Sequence, residues 1–268
     1  MGEKTGISWT NKTWNPWKGC KMVSPGCKNC YMFRDMRRYG MDPEDITRTK
    51  PGTFNAPIKW NREAQANRKP EFVFTASWSD WFIVDADDWR DEAWKIVKDT
   101  PWLIYQVLTK RADRILDHLP ADWGEGYPNV GIGVSVESSP YLSRVDLLRQ
   151  VPAKVRFISA EPLIGSLAGI DLTGIHWLIS GGESEPDDSK RREMDLEWAR
   201  ELRDACAAQN CTYFHKQGSG PKPGMYPALD GRLHQDYPEW WITYRPEHEI
   251  PDGGTTEETD SATPSSVA

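Results

Sequence analysis

Six short apolar runs recur along this chain, at residues 72–76, 103–108, 130–136, 155–159, 177–180 and 212–215. They are rich in β-branched and aromatic residues, and their starts lie about 20 to 36 residues apart. That is the spacing of successive strand–helix units. Amphipathic stretches at 87–97, 112–119, 141–148 and 196–209 read as the intervening helices. Such alternation predicts a parallel sheet with helices outside it. Right-handed crossovers carry a sheet of this kind into a complete or partial (β/α) barrel of the α/β class. A chain of 268 residues accommodates that as one domain, expected over 1–250.

Each run ends in small, hydroxylic or charged residues. The segments are Ser77-Trp78-Ser79-Asp80, Thr109-Lys110-Arg111, Ser135-Val136-Glu137, Ser159-Ala160-Glu161-Pro162, Gly181-Gly182-Glu183-Ser184 and His215-Lys216-Gln217. In an α/β barrel the C-terminal strand ends form the functional face, so six polar ends predict one shared mouth. Glu137 and Glu161, acceptors when ionised, suit ribose hydroxyls or an ammonium; their other reading is a salt bridge to Lys110 or Arg111. Gly181-Gly182 permits close approach of backbone to a ligand, without the Lys-Ser/Thr ending of a P-loop. His215 and Lys216 are candidate proton donors or substrate anchors. As a lone histidine at a strand end, His215 reads equally well as structural.

The segment WNPWKGCKMVSPGCKNCY, residues 14–31, holds Cys20, Cys27 and Cys30, three of only five cysteines, spaced C-x6-C-x2-C. Gly19, Pro25 and Gly26 make it a loop, and a loop can aim three thiolates at one point. Zinc in a structural site takes four ligands, and a cubane iron–sulfur cluster is usually held by four cysteines. No fourth cysteine lies nearby, and the first histidine is His118. Three readings stay open: a 4Fe-4S cluster with one position left for chemistry, a zinc ion completed from elsewhere, or no metal. Cys206 and Cys211, spaced C-x4-C, read as small buried apolar residues.

The three-cysteine loop with Tyr31 beside its last cysteine resembles the signature of the radical S-adenosylmethionine enzymes, usually C-x3-C-x2-C; the first spacing here is longer. The same segment, together with the later GGES, is similar over most of the chain to the three-cysteine-motif proteins of phages and bacteria, a family without an assigned function. The resemblance implies a 4Fe-4S cluster on Cys20, Cys27 and Cys30. It also implies S-adenosylmethionine on the open iron, an electron donor, and a 5′-deoxyadenosyl radical acting on a substrate in the mouth. Tyr31, Ser77, Asp80, Glu137, Glu161, Gly181, Gly182 and Glu183 are then the candidate cofactor contacts, with Ser77 and Asp80 toward its methionine end. The family's Gly-Gly-Glu motif follows the second strand. Here it follows a later one, so its role does not carry over directly.

Net charge is −7 and argues against a uniformly basic nucleic-acid binder. Residues 34–69 nevertheless carry nine basic against five acidic side chains and read as a surface segment or a phosphate-contacting arm. Within them 40–70, charged and Pro-rich, reads as an irregular insertion after the cysteine loop. Residues 251–268 lack aromatics and read as a disordered tail. No long apolar run predicts a membrane span. The opening MGEKTGISWT is not a signal segment, which points to the cytoplasm, that of the host if phage-encoded, and makes disulfides unexpected. The function reading is an iron–sulfur enzyme whose substrate class, nucleic acid or nucleotide among them, stays open. The alternative is a non-catalytic zinc module that binds nucleic acid or a partner protein.

Overall fold

In a computed structural model, which describes residues 5–246, seven strands form one all-parallel sheet. They are β1 Lys12–Trp14, β2 Glu71–Thr75, β3 Leu103–Thr109, β4 Val130–Ser135, β5 Val155–Ala160, β6 Trp177–Gly181 and β7 Thr212–Gln217. Each pairs with its sequence neighbour, so the spatial order is the chain order. The helices are α1 Tyr31–Arg38, α2 Ala56–Ala66, α3 Asp87–Lys98, α4 Ser143–Arg149, α5 Leu196–Ala208 and α6 Glu239–Thr243, with a single turn at Pro51–Phe54.

The sheet is curled. At about 4.8 Å per strand, β2 and β6 would stand roughly 19 Å apart if it were flat. Instead the Trp9 ring touches Phe74 of β2 at 4.6 Å and Trp177 of β6 at 6.1 Å. One indole bridges the gap, so the strands form a partial barrel whose edges, β1 and β7, are unpaired with each other.

Side-chain parity sorts the two faces. Along β3, Leu103, Tyr105 and Val107 join the convex core under the helices, which also takes in Trp60 of α2, Trp94 of α3 and Leu202 of α5. Ile104 and Leu108 point to the concave side, with Trp9, Phe157, Trp177, Trp241 and Tyr244. Trp241, from α6, lies against β4 at Gly131, where a Cβ would fall 2.3 Å from its ring; a Cβ at Gly133 would fall 2.5 Å from the ring of Phe157. Two mid-strand glycines thus make room for an aromatic plug. Trp240 pins the same helix by donating its indole N–H to the Pro128 carbonyl at 2.9 Å.

Local chemistry explains the helix ends. In α3, Asp87 and Asp88 sit in the first turn and Lys95 and Lys98 in the last, complementing the helix dipole. In α5 the Asp195 carboxylate caps the start by accepting the Glu197 N–H at 2.9 Å. Its end is a Schellman turn: Asn210 has φ +55° and the Cys211 N–H reaches the Cys206 carbonyl at 3.0 Å. That turn brings the residues at its two ends together, which accounts for the C-x4-C pair as packing inside the convex core.

Two stretches differ from the sequence expectation. Residues 112–119 form two short 3-10 turns, Ala112–Arg114 and Leu116–His118, because the non-helical Arg111 and Pro120 leave too few residues for an α-helix. Within 40–70, Thr47–Arg48 pairs antiparallel with Trp17–Lys18, Pro51–Phe54 is the helical turn and α2 lies on the crossover from β1 to β2, so the segment is largely structured. The expected domain boundary at 250 and the tail after it lie outside the described residues. Among those described, no helix is long and apolar enough to cross a membrane.

Candidate functional site

β1 is only three residues long, and the chain then climbs over the C-terminal strand ends. Buried Asn15 starts the climb: its Oδ1 accepts the Trp78 N–H at 2.7 Å and its Nδ2 donates to Ser77 Oγ at 3.0 Å. Gly19 (φ +89°) lies where a Cβ would strike the Asp45 carbonyl at 2.6 Å. A 3-10 turn at Pro25–Cys27 then presses Gly26 onto Glu137, leaving 2.5 Å to the position a Cβ would take. Cys30 is the residue before α1 and caps it with extended backbone.

The loop roofs a cavity of about 440 Å³, and Cys20, Cys27 and Cys30 all line it. So does one residue from the end of each strand from β2 to β7: Ser77, Lys110, Ser135, Glu161, Gly182 and Lys216. This volume falls within the range of small-molecule sites, roughly 300–1,000 Å³. All five cysteines are free thiols. Burial, with Asp80 adding to it, pushes Cys20 up to about 12; burial also raises Cys30, which interacts electrostatically with both Cys20 and Cys27. Among the described residues no three of His, Cys, Asp and Glu are set around a single metal ion.

Three buried carboxylates from three strand ends brace the loop, each near a different cysteine. Asp80 accepts Thr109 Oγ1–H at 2.6 Å and the Phe82 and Lys110 N–H groups at 2.9 Å. Its other partner is Arg111, at 3.0 Å, whose Nη1 lies 3.9 Å from Cys20 Sγ and whose Nη2 donates to the Lys21 carbonyl at 2.9 Å. Glu137, fully buried, accepts Ser24 Oγ–H at 2.7 Å and pairs with Lys110 at 2.8 Å and Arg144 at 2.9 Å. Burial alone would raise its pKa, but the two cations outweigh it and hold the carboxylate below its usual range. Glu183 accepts Asn29 Nδ2–H at 2.8 Å and is clamped by the Arg192 guanidinium and N–H. Arg192 in turn donates to the Pro25 carbonyl at 2.8 Å.

The candidate contacts therefore divide. Asp80, Glu137 and Glu183 have their acceptor capacity taken up by these protein partners, and Glu137 forms the salt bridge to Lys110. Tyr31 and Ser77 line the cavity together, the phenol donating to the Ser77 carbonyl at 2.9 Å. Glu161 and Lys216 face each other across 3.0 Å on the cavity wall. Gly181 is fixed by close approach, since a Cβ would fall 2.3 Å from Glu161 Oε1; at Gly182 it would fall 2.3 Å from the Ser219 nitrogen. His215 is a correction. β7 turns Phe214 and Lys216 inward and Tyr213 and His215 outward, so His215 is sealed in the convex side with Nδ1 2.9 Å from Ser180 Oγ. Burial, helped by His234, lowers it to about 4. Residues that sequence reasoning missed are Asn15, Ser24, Asn29, Arg144 and Arg192. Asn15, Ser24 and Asn29 lie inside the cysteine segment and reach partners 62 to 154 residues away, whereas Arg144 and Arg192 sit within nine residues of the carboxylates they pair with.

The family model described as Protein of unknown function (DUF5131) matches residues 4–238. No protein of curated function matches. Two solved structures are similar at 14% identity. One is a spore photoproduct lyase mutant with bound AdoMet and dinucleoside spore photoproduct, with TM-score 0.44 over 75% of this chain and 62% of that one. The other is spore photoproduct lyase complexed with dinucleoside spore photoproduct, with TM-score 0.36 over 72% and 60%. The chain thus spans about three fifths of their length.

Proposed function

This chain belongs to the DUF5131 family, and we propose that it is an iron–sulfur protein of the radical S-adenosylmethionine type. One observation carries the reading: three free thiols of a single loop, and one group from each of six strand ends, line the same cavity. The donor set suits a cubane cluster. All three line the cavity as free thiols, and cysteine thiolate is the ligand type that holds such clusters. Three ligands leave the fourth iron to a cofactor.

When bound, the cluster supplies an electron for cleavage of S-adenosylmethionine to a 5′-deoxyadenosyl radical that takes hydrogen from a substrate. The chain's own share is binding, orientation and exclusion of water. Glu161 and Lys216 offer opposite charges for the two ends of the methionine zwitterion. The Ser77 and Ser159 hydroxyls on the cavity wall suit ribose hydrogen bonds, and Phe33, Phe74 and Leu108 line the apolar side. An external electron donor is required. Lys28, exposed within the cysteine loop, and Arg38, exposed at the end of α1, have no ion-pair partner among the described residues and suit a phosphate-bearing substrate, a nucleotide or nucleic acid.

Anaerobic reconstitution with iron and sulfide, followed by metal analysis and chromatography of nucleoside products, tests this. A brown protein with about four irons per chain that slowly releases 5′-deoxyadenosine on reduction is the expected result. A colourless protein that takes up zinc, or a full cluster without 5′-deoxyadenosine, overturns it.

A further inference from the structure

Arg111 is an expensive residue where it stands. Its side chain is only 12% exposed, at the end of β3 and directly beside the cysteine loop. A guanidinium withdrawn from water needs compensation, and three partners supply it. Nη1 lies 3.0 Å from Asp80 Oδ2 and 3.9 Å from Cys20 Sγ, and Nη2 donates to the Lys21 carbonyl at 2.9 Å. Asp80 cannot drift from it, because three further donors from Thr109, Phe82 and Lys110 hold the carboxylate. The result is a fixed order of charges: carboxylate, guanidinium, sulfur.

We infer that this Asp80–Arg111 pair sets the reduction potential of the metal centre held by Cys20. The inference rests on the cluster reading above. Reduction adds one negative charge to a cluster, and a fixed cation with an N–H aimed at a ligand sulfur stabilises that charge; charge and hydrogen bonds to the sulfurs are what tune such potentials. Arg111 therefore raises the potential and eases reduction. Asp80 has two effects, holding the guanidinium in place and offsetting part of its charge. Removing only the carboxylate charge leaves Arg111 tethered to the Lys21 carbonyl and uncompensated. The two residues should then move the potential in opposite directions, which a purely structural role would not do.

The experiment is a redox titration, followed by electron paramagnetic resonance, of the reconstituted wild type, Arg111→Gln, Arg111→Lys and Asp80→Asn, with iron counted in each. At a fixed solution potential Arg111→Gln should lower the reduced-to-oxidised ratio about tenfold, equivalent to about 59 mV for one electron. Asp80→Asn should raise the ratio, and Arg111→Lys, which keeps the charge, should stay nearer wild type than Arg111→Gln. Equal potentials in all four proteins, or shifts of the same sign in Arg111→Gln and Asp80→Asn, overturn the inference. If Arg111→Gln holds no iron, Asp80→Asn decides alone: a rise supports the inference and a fall or no change overturns it. A wild type that takes up no iron overturns the cluster reading instead, so the two failures are distinct.

Discussion

Glu137→Gln isolates the charge of the buried carboxylate while keeping its shape and an acceptor for Ser24. Glu137 has no exposed surface, and its partner Arg144 is 8% exposed. Stripping one partner from a buried ion pair costs about 3–5 kcal/mol, because the other charge is left uncompensated. Lys110, at 20% side-chain exposure, can turn toward solvent, which places the cost near the lower end, about 3 kcal/mol. For a chain of this size each kcal/mol moves the midpoint about 2–4 °C, so Glu137→Gln should melt roughly 6–12 °C lower at pH 7. The carboxylate is held below its usual value of 4.5. Its contribution is therefore complete above that value and is lost as pH falls through the folded-state value. The gap between wild type and variant should narrow below pH 4.5. Thermal melts by circular dichroism at pH 7 and in the acid range read both. A loss under about 3 °C at pH 7, or a gap that does not narrow in acid, refutes the reasoning from a buried, ionised brace.

Three further outcomes are expected. Gly133→Ala drives a methyl into the Phe157 ring and should cost about 1–3 kcal/mol in a denaturant titration; a neutral result would mean the plug has slack. His215 stays neutral in the fold until pH falls toward about 4 but gains a proton below about 6.5 when unfolded. Its contribution is full above 6.5 and falls by about 3 kcal/mol toward pH 4, so His215→Gln should flatten the decline in urea midpoint between those values. Cys206→Ala and Cys211→Ala should leave iron content unchanged, since both belong to the Schellman turn of α5, whereas Ala at 20, 27 or 30 should abolish most of it.

The partial barrel was legible because its strands carry their own signal. The runs at β2 to β7 are β-branched, aromatic and evenly spaced, and each matched run falls within two residues of the observed strand. α2 was not legible. It buries only Pro57, Trp60 and Ala64, too few for a clear apolar stripe, and it lies in a charged, Pro-flanked segment. Which of the two expected forms, complete or partial, the barrel takes was not legible, because the curl depends on aromatic contacts such as Trp9 with Trp177 and Trp177 with Trp241, between residues far apart in the chain. At the site, sequence could mark Asp80, Glu137 and Glu183 as polar strand ends, and Lys110 as a partner of Glu137, but not the partners that tie these carboxylates to the cysteine loop. Those partners, Arg111, Ser24 and Asn29, lie 31, 113 and 154 residues away. For His215 both a catalytic and a structural reading were open in the sequence, and strand parity along β7, which places it on the same side as Tyr213, carries the structural one.

The most direct test of an open cluster on three thiolates is the paramagnetic resonance spectrum of the reduced, iron-loaded protein before and after S-adenosylmethionine is added. A cubane with one iron free for the cofactor should show a reduced-cluster signal whose g-values shift on addition, and Cys27→Ala should show neither iron nor signal. A full complement of iron with a signal that S-adenosylmethionine leaves unmoved, or iron retained in Cys27→Ala, contradicts a three-thiolate site open to the cavity.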